Sequence, residues 1–179
     1  MDNINKLIKR AKLFGFDEVV YLNVSTIKLM DEVRSMCREN KCHKYNTNWS
    51  CPPGCGSLEE GREKLKKYSK GIIVQTIGEI EDSLDFETMI EIEEKHKKKF
   101  NKFYEILKEQ YNEAMAFGSG CCTICDKCTY PNQPCRFPKK CISSMESYGM
   151  LVSDICKANK IKYYYGVNKI AYTSCFVIE

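Results

Sequence analysis

Apolar residues open the chain at Ile4, Leu7, Ile8 and Ala11, the spacing of one helix face, and Gly15 ends that run. The pattern therefore predicts a helix over residues 2–14. The period then changes. Glu18-Val19-Val20-Tyr21-Leu22-Asn23-Val24 has the composition of a strand, with Thr26 to Met30 as its expected partner. Ser57-Leu58-Glu59-Glu60 is a capping box that opens a helix running to about Lys70. Gly71 stops it, and Ile72 to Ile77 is an apolar run suited to a buried strand. Asp82 or Ser83 caps the longest predicted helix, residues 85–115. Its stripe is Phe86, Met89, Ile90, Phe100, Phe103, Tyr104, Leu107 and Tyr111. Glu91–Lys95 and Glu94–Lys98 pair on its opposite face. Ser143-Ser144-Met145-Glu146 offers another capping box, Gly149 a break, and Met150 to Asn159 a short helix. Ile161–Tyr165 and Ile170–Ile178 carry the β-branched and aromatic residues of two strands. No repeat and no linker divides the chain. The expectation is an α/β or α+β fold, a single compact domain over residues 1–179 with a long amphipathic helix and two cysteine-rich loops on one side.

Those loops hold most of the chemistry. Cys122, Cys125, Cys128 and Cys135 form a C-x2-C-x2-C-x6-C run entered through Gly118-Ser119-Gly120. Three thiols at every third position can reach three iron corners of a 4Fe-4S core, with the fourth ligand further along. A tetrahedral zinc ion instead draws its ligands from two separated pairs. The downstream loop, residues 118–141, is thus read as an iron–sulfur site. The upstream loop, residues 37–55, carries Cys37-x4-Cys42-x8-Cys51-x3-Cys55. That spacing suits structural zinc as well as it suits an iron–sulfur cluster. His43 could replace one thiol. Cys51-Pro52-Pro53 resembles the C-P ending of ferredoxin runs, and Gly54 and Gly56 free the backbone to turn Cys55 inward. Cys55 is expected to be the fourth upstream ligand. Tyr45 and Trp49 could lid the site or anchor the core. Cys156 and Cys175 sit among apolar neighbours and read as core, while Cys121 and Cys141 read as flanking thiols.

Composition narrows the setting. A chain of 179 residues, 43% hydrophobic, can bury a core without disulfide staples. Twelve cysteines would suggest a disulfide framework in a secreted protein, but the charged start Met1-Asp2-Asn3-Ile4-Asn5-Lys6 has no apolar leader region. No run reaches membrane-span length. A cytoplasmic, reducing setting is expected, without membrane or nucleic-acid partners. The formal charge of +4 is mild. Two 4Fe-4S clusters, each about −2 with its thiolates, would bring the protein to roughly neutral. Lys127, Arg136, Lys139 and Lys140 flank the downstream cysteines, and Arg38, Lys41 and Lys44 the upstream ones. Lys95, Lys97, Lys98, Lys99 and Lys102 read as a solvated helix face, with docking of an acidic redox partner as the alternative. His96 reads as a packed histidine.

Val33-Arg34, Cys37, Cys42, Cys51-Pro52-Pro53, then Gly118, Gly120, Cys122, Cys125, Cys128, Cys135-Arg136-Phe137-Pro138, and Ser144-Met145-Glu146 with Gly149 follow one another along nearly the whole chain. In that order they resemble the predicted metal-binding proteins of domain-of-unknown-function family 2284. The resemblance implies metal binding, with three cysteines in the first group and four in the second. Cys55, Cys121 and Cys141 are additional here.

Electron transfer to a redox partner protein by two cysteine-ligated 4Fe-4S clusters is the leading function. One alternative is an enzyme whose upstream cluster keeps an iron open as a Lewis acid. Another is an interaction module stabilised by zinc, above all at the upstream site. No P-loop, nucleophile elbow or H-E-x-x-H appears, and no catalytic residue is assigned.

Overall fold

The computed structural model describes residues 2–179. Among them four strands form one antiparallel sheet in the order β1-β2-β4-β3: β1 (Glu18–Asn23), β2 (Lys70–Glu79), β3 (Met115–Phe117) and β4 (Lys169–Ile178). The helices are α1 (Asp2–Leu13), α2 (Asp31–Arg38), α3 (Leu58–Leu65), α4 (Phe86–Gln110) and α5 (Val152–Ala158). The fold is α+β.

The run Ile72-Ile73-Val74 is continuously apolar because β2 is central and covered on both faces. Ile72 and Val74 join Phe176 and Ile178 against α1 and the Phe100, Phe103 and Leu107 stripe of α4. Ile73 faces the other way with Cys175, Val177, Phe117, Met145, Met150 and Ile155. Cys156 and Cys175 are buried in that second core, as expected from their neighbours. Burial raises both thiols, Cys156 to about 11.

His96 lies fully buried between α4 and the sheet. One ring nitrogen sits 2.8 Å from Thr76 Oγ1 and the other 2.7 Å from Ser174 Oγ. Burial, reinforced by Lys99 and Lys97, lowers its pKa to about 3, so the ring is neutral. The basic run is only partly a solvated face. Lys97 pairs with Glu93 at 2.6 Å, Lys98 with Glu94 at 3.4 Å, and Lys99 donates to Gly15 O at 2.7 Å. The expected Glu91–Lys95 pair does not form among the described residues, where α4 pairs Glu93 with Lys97 instead.

Several expected elements differ. Thr26 to Met30 is no strand. The Asn23 side chain accepts the Ser25 N–H and starts a 3-10 turn at Val24–Thr26, and β1 pairs with β2. Helix α4 ends at Gln110 rather than near 115, because the free edge of β4 recruits Met115–Phe117 as β3. Ile161–Tyr165 is irregular. Lys160 takes φ +58°, and the Ile161 N–H returns to Cys156 O, closing α5 instead of starting a strand. The second capping box yields only a 3-10 turn, Glu146–Tyr148, whose Ser147 N–H bonds Ser144 Oγ at 3.0 Å; left-handed Gly149 ends it.

Candidate metal centre

Helix α2, absent from the expected elements, delivers the first cysteine. Val33 is its buried anchor, and Cys37 lies one turn further on the same face, its thiol 3.9 Å from Glu146 O. Arg34 ties this helix to both neighbouring segments. Its Nε donates to Ser147 O at 2.8 Å, and its terminal nitrogens reach Gly56 O at 3.0 Å. The next residues fold as linked turns. Asn40, His43 and Asn46 are left-handed, and Asn40 Oδ1 accepts the Tyr45 N–H at 3.0 Å. Buried Asn48 accepts from Ser50 N and Oγ and donates to Lys44 O. No buried side-chain nitrogen or oxygen of this inner turn lacks a partner. Its register brings Cys51 inward.

The downstream loop is pinched at its base. Gly118 N–H donates to Ser143 O at 2.9 Å and Met145 N–H to Gly118 O at 3.1 Å, placing its two ends side by side. Gly120 needs φ +69°, and a Cβ there would meet Glu93 Oε1 at 2.6 Å. Beyond it, Arg136 donates to Lys127 O and Thr129 Oγ1 to Pro134 O, both at 2.9 Å.

The two loops interlock. Cys122 N–H donates to Ser50 Oγ at 2.9 Å, Trp49 Nε1 to Gln133 O at 3.1 Å, and Tyr130 OH to Asn46 Oδ1 at 2.8 Å. Trp49 and Tyr130 meet edge to face with ring centres 4.9 Å apart. Trp49 therefore belongs to the downstream side, while Tyr45 lines the upstream cavity.

That upstream cavity encloses about 430 Å³ and is lined by Cys37, Cys42, Cys51 and Cys121, with Glu93 and Glu146 on its wall. His43 is exposed and does not line it. Cys55 lines a separate cavity of about 360 Å³ with Cys135 and Cys141. Its thiol donates to Ser147 O at 3.5 Å. Cys122, Cys125, Cys128, Cys135 and Cys141 surround a third space of about 20 Å³, room for about one water. All twelve cysteines are free thiols.

The electrostatics suit cation binding. Burial raises the Cys37 thiol, and Cys51 and Glu146 add to it while Arg34 opposes. Burial likewise raises Cys121, helped by Cys51 and opposed by Lys97 and Lys44. Glu146 is open to water at the cavity yet crowded by protein, and that desolvation raises its carboxyl. Cys122 is held below the usual thiol range, first by its hydrogen bond with Cys141, while the same contact raises Cys141. Thiolates crowded this way repel one another, and a bound metal removes that cost. The donor set is soft sulfur, reduced and partly accessible, which fits zinc or iron–sulfur clusters and not magnesium or calcium. Among the described residues no three histidine, cysteine or acidic side chains converge on a ready-made single-ion site.

The profile of the predicted metal-binding protein family DUF2284 matches residues 20–178. The chain belongs to that family. No curated protein and no solved structure matches it. Both cysteine loops therefore fall within the span of a family described as metal-binding, as the motif resemblance implies. Arg34, Glu93, Glu146 and Cys121 stand at the candidate site although spacing alone did not assign them. Arg34 and Glu146 belong to the Val33-Arg34 and Ser144-Met145-Glu146 motifs of the sequence, and Cys121 stood out only as a neighbour of Cys122.

Proposed function

We propose that this protein carries two cysteine-held 4Fe-4S clusters and passes electrons to a redox partner protein. One observation carries the proposal: both cysteine groups meet in a single interlocked lobe, around separate spaces that adjoin at Cys51, Cys121 and Cys122. Cys37, Cys42 and Cys51 would hold the upstream centre, and Cys122, Cys125, Cys128 and Cys135 the downstream one. When bound, such centres take up and release single electrons without making or breaking substrate bonds. The chain's own residues would hold the thiolates in place, exclude bulk water through Trp49 and Tyr130, and soften the negative charge with Arg34, Lys44 and Arg136. Four cysteines lining one cavity of about 430 Å³ leave room for a polynuclear core. Twelve free thiols fit a reducing compartment such as the cytoplasm. No helix is long and apolar enough to cross a membrane among the described residues.

The size of the upstream cavity and its two carboxylates favour a second reading, an enzyme that admits a small molecule beside an open iron. Iron, sulfide and zinc counts on anaerobically purified protein, with an absorption spectrum, test the main proposal. About eight irons and eight sulfides per chain are expected, falling to about four of each in Cys125→Ser. Colourless protein with stoichiometric zinc overturns it in favour of a zinc-stabilised interaction module.

A further inference from the structure

We infer that Cys121, and not Cys55, supplies the fourth thiolate of the upstream centre, so that the chain neighbours Cys121 and Cys122 serve two different centres. The inference rests on the two-centre reading above. Three observations lead to it.

First, the four thiols that line the upstream cavity are Cys37, Cys42, Cys51 and Cys121. They come from the end of α2, the turn after it, the Pro52 corner and the pinched neck of the downstream loop. Cys55 is absent from that lining although it lies one turn after Cys51, with its N–H bonded to Cys51 O at 3.1 Å. It opens instead toward Cys135 and Cys141.

Second, the backbone around residue 121 is held on both sides. Gly120 turns in the left-handed region against the Glu93–Lys97 pair of α4. Cys122 N–H is bonded to Ser50 Oγ. Residues 121–123 lie in neither helix nor strand, so these contacts set the directions of the two thiols. Cys122 accordingly borders the downstream space with Cys125 and Cys141, and Cys121 the upstream cavity with Cys51, the two sharing only the small space beside Gly120 and Phe100. A single chain step, about 3.8 Å between Cα atoms, separates a ligand of one centre from a ligand of the other.

Third, the same hydrogen bond sets Ser50-Cys51 against Cys121-Cys122, so the cysteine next to each bonded partner points into the upstream cavity. An upstream centre closed by four cysteines has no open iron, and the enzyme reading loses its coordination site.

Thiol footprinting of the wild-type protein tests this directly. Anaerobically purified protein and a chelator-stripped sample are alkylated with iodoacetamide, and the rate at each cysteine is read by mass spectrometry. Bound metal is expected to slow Cys121 by at least about tenfold, as it slows Cys37, Cys42 and Cys51, and Cys55 by less than about twofold. Protection of Cys55 equal to or greater than that of Cys121 overturns the inference. In parallel, Cys121→Ser should lose about half the bound metal and Cys55→Ser none. Full metal content in soluble Cys121→Ser overturns it as well, and the footprint decides alone if that variant does not fold. Zinc in place of iron would defeat the iron–sulfur reading while leaving the protection pattern to judge Cys121. Wild-type protein that binds no metal overturns both.

Discussion

Upstream, Cys37, Cys42, Cys51 and Cys121 are gathered from separate segments around about 430 Å³ of open space. Downstream, Cys122, Cys125, Cys128, Cys135 and Cys141 share one loop and close around about 20 Å³. The upstream cavity is held open by groups that are not ligands: the Arg34 clamp, the Asn48 turn and the base of α2. In the downstream loop five thiols crowd around that space and leave little of it open. The difference separates two ways of building a site. A scaffolded site has much of its ordering cost met by the fold, whereas a self-contained loop must open, exchange its thiol contacts for metal bonds and be ordered by them.

The largest expected effect removes the platform beneath both sites. His96 has a folded pKa of about 3 against an ordinary 6.5, chiefly through burial. Between those values the unfolded chain binds a proton that the folded chain refuses. Stability from this group is therefore complete above about pH 6.5 and is lost as pH falls toward 3, by up to about 5 kcal/mol. Urea unfolding of the protein from pH 7 to pH 4 should show that slope, and His96→Gln should flatten it. An unchanged slope in the variant would assign the acid sensitivity to other groups.

Metal removal should then pull the two sites apart. Hydrogen exchange after chelation is expected to rise about a hundredfold over residues 123–141, but only about tenfold over 40–55, with β2 and β4 unaffected. Equal acceleration of both loops would mean that Arg34 and Asn48 do not hold the upstream cavity by themselves. A smaller effect targets the clamp. Arg34→Met keeps the stem and removes three charge-assisted hydrogen bonds to Ser147 O and Gly56 O, at a cost of about 2 kcal/mol. The upstream centre should release its metal to a competing chelator faster in this variant, at unchanged downstream rate. Equal release from both centres would erase the distinction between scaffolded and self-contained sites.

Much of this was legible in the sequence for a local reason. The Ser57–Glu60 capping box, the apolar run of β2 and the Phe100–Leu107 part of the α4 stripe each specify structure within a few residues and form where their patterns placed them, whereas Phe86 and Ile90 of the expected stripe are exposed because the buried face of α4 begins at Ile92 and His96. The Ser57 box forms in full because its donors and acceptors all lie within one turn. The similar box at Ser143 yields only one 3-10 turn, because the Met30–Gly149 and Gly118–Ser143 backbone bonds claim its flanks. Thr26 to Met30 and Ile161 to Tyr165 have strand composition but no strand partner, which composition cannot register. The same limit applies to the cysteines. Spacing along the chain marked the two cysteine-rich loops and the family to which the chain belongs, because loop composition is a local property. Which cavity each thiol enters was decided only by the tertiary structure. It depends on Arg34 reaching Ser147, Ser50 meeting Cys122 and Gly120 turning against α4, contacts between residues 27 to 113 positions apart that no local pattern encodes.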